Sequence, residues 1–292
     1  MSGRLPRTFA SFLLLALMLI AGAGASRAQQ PASPLQKIAE LERQHGGRLG
    51  VAMLDTRDGS LVSYRGGERF PFCSTFKIIL VAKILHQSVE DPKLLDKRFR
   101  ITGLDIEKYA PIVSKQIGEE MTVSDLCGAA IMYSDNAATN ILMRHFGGPE
   151  AVTAFARGLG DDAFRLDRRE PELNTAITGD PRDTSTPDSM ANAIRSLFFG
   201  NVLPKIQQDI LMHWLLNNTT GNQRIRAGIP SGWVVGDKTG TGDYGTTNDV
   251  AVFWPDGGGA VILAVYYTQD GKDAKAKNEI IASAARILTH RD

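Results

Sequence analysis

Polar and apolar residues repeat with two different periods along the chain, and the places where the period changes divide it. Ser33-Pro34-Leu35-Gln36 reads as a capping box with proline at the first helical position. Leu35, Ile38 and Leu41 follow at helical spacing, which predicts an amphipathic helix ending near Gly46-Gly47. The period then drops to two. Leu49, Val51 and Met53 alternate toward Asp58-Gly59, and Leu61, Val62 and Tyr64 follow, predicting a strand, a turn and a strand. From Phe76 to Leu85 the chain is almost continuously apolar, too long for a typical strand and suited to a buried helix with Ser74 at its start.

Thr122 and Asp125 form a second capping box, opening a helix through Met132, and Ala137–Phe146 gives another before Gly147-Gly148. Further helical stretches are expected over Glu150–Gly158, Pro187–Phe199 and Pro204–Asn217. Strand character returns late, at Trp233–Gly240, Asp249–Trp254 and Ala260–Tyr267, with turns at Gly242-Asp243 and Asp256-Gly257-Gly258. A helix over Lys275–Leu288 closes the pattern. Short links between the late strands favour antiparallel pairing. The fold class expected is therefore α/β (α+β): one antiparallel sheet built from both chain ends and flanked by helices, with an inserted all-helical domain. The boundaries drawn are 29–65 and 217–292 for the sheet domain and 66–216 for the helical one, with a ligand in the cleft between them.

Composition and charge narrow the class. In this chain of 292 residues, 43% are hydrophobic and 22% charged, which is ordinary for a globular protein. Arg4 and Arg7 precede an apolar run from Phe9 to Ala21, followed by small residues up to Ala28. That is the pattern of a cleaved signal peptide over residues 1–28, and the run is short of the about 20 residues a membrane span needs. Cleavage after Ala28 removes Arg4, Arg7 and Arg27 and no acid, leaving 30 basic against 32 acidic residues. Such a balance courts neither nucleic acid nor an anionic membrane. A secreted, periplasmic monomer without a membrane anchor is expected.

Cys73 and Cys127 are the two cysteines. Export permits a disulfide, but Cys73 directly precedes the candidate nucleophile and the bridge is not expected. Histidines 45, 86, 145, 213 and 290 are dispersed without ligand spacing, so no metal and no cofactor is expected. The Gly-x-Ser-x-Gly elbow is absent as well.

Three short motifs carry chemistry. In Ser74-Thr75-Phe76-Lys77 the three-residue spacing sets Lys77 beside Ser74 on one helix face, within reach of its hydroxyl proton. A free lysine titrates near 10.4, so a basic role requires burial or a neighbouring cation. Ser134-Asp135-Asn136 falls at a junction between helices. Capping alone accounts for such residues there, but Ser134 is also suited to pass a proton and Asn136 to grip a substrate amide. Lys238-Thr239-Gly240-Thr241 falls on a strand. Lys238 offers a cation for a carboxylate, Gly240 clearance for a ligand, and the two threonines hydrogen bonds. The N–H groups of Ser74 and Thr241 are candidates for an oxyanion hole.

Each motif alone is common. Together, in this order and about 60 and 100 residues apart, they form the signature of class A β-lactamases and penicillin-binding proteins. The chain resembles class A β-lactamases from about Leu35 to Leu288, which implies a two-domain fold with Ser74 as nucleophile and a small-molecule β-lactam as substrate.

The same resemblance covers Arg168-Arg169-Glu170-Pro171-Glu172-Leu173-Asn174 and Gly179-Asp180-Pro181-Arg182-Asp183, similar to the family's omega loop. It implies that Glu170 activates a deacylating water which Asn174 helps hold, although Glu172 fits the part equally from sequence alone. It also implies an Arg168–Asp183 ion pair and a cis Glu170-Pro171 bond. Whether Lys77 or Glu170 takes the serine proton during acylation stays open. By the same alignment Tyr109 walls the cleft and Arg224 supports the substrate carboxylate beside Thr241.

The stretch from Thr219 to Arg226 resembles members that accept cephalosporins. Members that accept carbapenems usually carry a cysteine where Gly242 stands, bridged to the match of Cys73. Penicillins and cephalosporins are expected, with carbapenems open. The alternatives are a penicillin-binding DD-peptidase and a β-lactam-binding sensor, both of which acylate without rapid release.

Overall fold

The computed structural model describes residues 32–290; the leader expected over 1–28 lies outside them. The elements are α1 (Pro34–His45), β1 (Arg48–Asp55), β2 (Leu61–Tyr64), β3 (Phe70–Pro71), α2 (Lys77–Gln87), β4 (Arg98–Arg100), β5 (Glu120–Thr122), α3 (Val123–Met132), α4 (Asn136–His145), α5 (Gly148–Gly158), β6 (Thr184–Ser185), α6 (Pro187–Phe199), α7 (Lys205–Leu216), α8 (Ile225–Gly228), β7 (Val234–Thr241), β8 (Thr247–Trp254), β9 (Val261–Thr268) and α9 (Asn278–Thr289).

Both capping boxes form. Ser33 Oγ accepts from Gln36 N while Gln36 Oε1 accepts from Ser33 N, and Thr122 and Asp125 repeat the exchange at α3. Ile38 and Leu41 are buried as the helical period predicts, but Leu35, in the first turn of α1, is exposed.

The sheet runs β2-β1-β9-β8-β7, antiparallel throughout, and draws its strands from both ends of the described chain. Its period of two sorts side chains between two cores. Val250 and Val252 of β8 join the larger core, which continues through α2, α3 and α4; Ala251 and Phe253 face the smaller one, with Ile38 of α1 and Ile281 of α9. In α2 every residue from Ile78 to Leu85 is buried, including Lys83, which explains why no polar stripe marks this helix in the sequence.

Several boundaries move. Ser74 lies in a 3-10 turn, Cys73–Phe76, and α2 starts only at Lys77. β8 begins at Thr247, and α9 begins at Asn278 because Lys277, at φ −118° and ψ 79°, is not yet helical. Helix α8 and the two-residue and three-residue pairs β3·β6 and β4·β5 were not expected; segments this short carry no readable period.

Candidate active site

Backbone conformation sets up the serine. Cys73 holds a left-handed φ of 46° just before Ser74, a costly geometry for a residue with a Cβ. Asn248 of β8 clamps the preceding main chain, its Nδ2 donating to Pro71 O at 2.8 Å and Phe72 O at 3.1 Å. A 3-10 turn has three residues per turn, so Lys77 eclipses Ser74 more closely than in an α-helix.

The Ser74 hydroxyl donates to Glu170 Oε1 at 3.3 Å. Lys77 Nζ meets the same carboxylate oxygen at 2.9 Å, and also donates to Asn136 Oδ1 at 2.7 Å and Ser134 O at 2.9 Å. Both side chains of the Lys77–Glu170 pair are fully buried. Burial pushes the Lys77 ammonium below the ordinary lysine value, with the Glu170 charge opposing that shift. Ser134, at a left-handed φ of 57°, points its Oγ between two lysines: Lys238 Nζ donates to it at 2.9 Å and Lys77 Nζ stands 3.5 Å away. Burial first, and then the neighbouring Lys77 charge, hold Lys238 well below its ordinary value. Asp135 is the N-cap of α4, its Oδ1 accepting from Ala138 N, so the middle residue of the motif is structural.

The loop before α6 delivers Glu170. The Glu170-Pro171 bond is cis. Arg168 pairs with Asp183, which also accepts from the N–H groups of Asp167 and Arg168. Asn174 Nδ2 donates to Glu170 Oε2, and its buried Oδ1 has no hydrogen-bond partner. Asn140 of α4 grips the main chain of Glu170 from both sides, taking its N–H at 3.1 Å and donating to its carbonyl at 2.8 Å. Glu172, by contrast, is exposed, whereas Glu170, the carboxylate that the family resemblance names, reaches Ser74.

Strand β7 closes the far wall. A Cβ on Gly240 would lie 2.6 Å from Phe72 O and 3.2 Å from Ser74 N. Glycine there is required by the approach of β7 to the serine's own turn, where ligand clearance was the expected reason. At Gly242 a Cβ would meet Cys73 Sγ at 2.7 Å; Cys73 and Cys127 are buried free thiols. Arg224 Nη2 donates to Thr241 Oγ1 at 2.7 Å while Nη1 holds Gly240 O and Asn248 O. A cleft of about 370 Å³ is lined by Ser74, Tyr109, Ser134, Asn136, Asn174, Thr220, Arg224, Thr239 and Thr241. Tyr109 stands half exposed at its rim. Sequence reading missed Asn140, Asn218, Thr220 and Asn248; isolated amides and hydroxyls carry no motif.

Comparison with known proteins gives a consistent answer. The model of the β-lactamase enzyme family matches residues 33–291. The β-lactamase OXY-2 of Klebsiella oxytoca is 49% identical over 279 residues, covering 96% of either chain. Among solved structures, a β-lactamase from Desulfarculus baarsii is 48% identical with a TM-score of 0.86, covering 87% of this chain and 95% of its own. The reconstructed class A β-lactamase of the last common ancestor of Gram-negative bacteria is 51% identical with a TM-score of 0.84, covering 88% and 98%. Identity this high along nearly the whole described chain, on the same antiparallel sheet flanked by helices, means that the chain belongs to the class A β-lactamases and is a hydrolase of β-lactams.

Proposed function

We propose that the chain hydrolyses penicillins and cephalosporins through an ester on Ser74, which a water activated by Glu170 then releases. The observation that carries this reading is the shared carboxylate oxygen: Glu170 Oε1 takes the Ser74 hydroxyl at 3.3 Å and the Lys77 ammonium at 2.9 Å. An ammonium has three protons, and Ser134 O, Asn136 Oδ1 and Glu170 Oε1 take all three of Lys77. That leaves no lone pair for the serine proton, so Glu170 is the first acceptor and Lys77 holds its charge in place.

The Ser74 oxygen attacks the lactam carbonyl carbon, and the ring C–N bond breaks. The Ser134 hydroxyl protonates the departing nitrogen and is resupplied by Lys77, which in turn takes the serine proton from Glu170, so that the carboxylate is ionised again before deacylation. The N–H groups of Ser74 and Thr241 receive the carbonyl oxygen, and Lys238, Thr239, Thr241 and Arg224 the substrate carboxylate. Asn136 faces the acylamide and Tyr109 the ring. A water donating to Asn174 Oδ1 and Glu170 then attacks the ester, and its proton returns through Glu170 to Ser74. The Glu170–Asn174 pairing favours hydrolysis over a DD-peptidase or sensor, neither of which needs a base for water.

The division at residues 65/66 and 216/217 forms the two walls of this cleft, and the protein works as a monomer, exported to the periplasm after loss of residues 1–28. Among the described residues no helix is long and apolar enough to cross a membrane. The test is Glu170→Ala with a chromogenic cephalosporin: turnover falls roughly a hundred- to ten-thousandfold, and, with acylation slowed but release slowed more, mass spectrometry shows one stable adduct on Ser74. Normal turnover in that variant removes Glu170 from the reaction.

A further inference from the structure

Two hydroxyls flank Gly240 on the β7 wall, and their partners give them opposite polarity. Arg224 Nη2 can only donate, so Thr241 Oγ1 accepts from it at 2.7 Å and keeps its own proton free. Thr239 is different. Its Oγ1 lies 2.5 Å from Thr220 Oγ1, and Thr220 Oγ1 lies 2.8 Å from Asn218 Oδ1. The next step orients that chain. Asn218 Nδ2 donates at 2.7 Å to Asp237 Oδ2, and the other oxygen of Asp237 takes Arg226 Nε at 2.5 Å. Turning the Asn218 amide over would set its oxygen against a carboxylate, so Oδ1 must face Thr220. An amide oxygen only accepts; the Thr220 proton is therefore committed to it, and the proton between the two threonines must come from Thr239.

We propose that Thr220 is a positioning residue that sets substrate preference by holding the Thr239 proton away from the cleft. Thr239 then shows lone pairs to the ligand, while Ser134, whose oxygen accepts from Lys238, and Thr241 both keep a proton to donate. A substrate carboxylate is received by Lys238 and by Thr241 with Arg224 behind it, and gains Thr239 as a donor only by breaking the Thr239–Thr220 hydrogen bond. This inference rests on the carboxylate reading of the cleft given above.

Thr220→Val keeps the side-chain shape, removes the acceptor, and releases the Thr239 proton to the ligand. The measurement is kcat/KM for a cephalosporin bearing its free carboxylate divided by that for its methyl ester. One net hydrogen bond corresponds to a rise of roughly two- to tenfold in that ratio. Thr220→Ser, which restores the relay, keeps the parent ratio, and adding Thr239→Val to Thr220→Val abolishes the gain. A ratio that stays level or falls in Thr220→Val, a gain that persists without the Thr239 hydroxyl, or a serine variant that behaves like valine overturns the proposal. The parent enzyme separates the two readings: if it fails to hydrolyse the free acid, the functional assignment fails, whereas turnover with an unmoved ratio sinks only the role of Thr220.

Discussion

Two buried polar clusters sit on either side of the Lys238 strand, and their composition is alike: each holds a cation, a carboxylate and an asparagine amide. Around Ser74, the pair Lys77–Glu170 is joined by Asn136 and Asn174; behind β7, Arg226–Asp237 is joined by Asn218, with Asp249 beside it. They differ in what they leave over. The first cluster spends its cation on three oxygens but keeps Ser74 and Asn174 on the cleft lining, with the Asn174 Oδ1 unpartnered and the Glu170 carboxylate directly behind them. The second spends its groups mostly on protein: Arg226 also donates to Leu215 O and Ile225 N donates to Asp249, whose Oδ1 is left without a partner away from Ser74, and only the Asn218 amide reaches the cleft, through Thr220 and Thr239. Burial, aided by the charge of Asp237, drives the Asp249 carboxyl far above the ordinary range. Residue type therefore does not distinguish reactive charges from structural ones; unused hydrogen-bonding capacity facing the ligand does.

Substitutions on the two sides ought to dissociate activity from stability. Ser74→Ala is expected to lower turnover by on the order of a millionfold, with no covalent adduct by mass spectrometry and an unchanged melting temperature; a labelled Ser74→Ala protein moves the nucleophile elsewhere. Asp237→Ala does the reverse. It leaves Arg226 unpaired beside a buried site and is expected to cost about 3 kcal/mol in urea unfolding, while the folded variant keeps turnover within about tenfold. Loss of turnover in folded Asp237→Ala protein would erase the distinction between the clusters.

A smaller effect sharpens the boundary between them. Lys238 touches Ser134 on one side and its strand on the other, and its folded value lies well below the ordinary 10.5. Between those two values the unfolded chain holds a proton that the folded lysine has released. Stability from this group is therefore lowest below the folded value and rises with pH through the window. Lys238→Met removes the contribution, so the parent should gain on the variant by at most about 1.4 kcal/mol per pH unit as pH rises toward 10.5. Urea midpoints at several pH values measure it; a parallel pair of curves means that burial does not perturb this lysine.

Legibility followed the range of the interaction. Capping boxes, the α2 core run and the late strands are written in neighbours three or four residues apart, or in a period of two, and their elements form within a few residues of the expected bounds. The Ser-x-x-Lys, Ser-Asp-Asn and Lys-Thr-Gly residues were found because their spacing is a known signature. The amides of Asn140 and Asn248 were missed because each acts on main chain far away in sequence, at Glu170 and at Pro71-Phe72. Leu35 shares the apolar period of α1 yet is exposed, because a period shows which face of a helix is apolar but not whether its first turn is covered.

By itself, then, the sequence determined the elements, the sheet built from both ends and the set of chemically able residues, since local hydrogen bonds and hydrophobic period dictate the first two and motif spacing the third. The family resemblance already named Glu170 over Glu172, but only the tertiary structure decided how closely that carboxylate meets Ser74, and which way the protons along Thr239, Thr220 and Asn218 run. Those choices depend on distances of about 3 Å between groups tens of residues apart, and a hydrogen bond, falling away steeply beyond its contact distance, is settled only when the chain has closed around it.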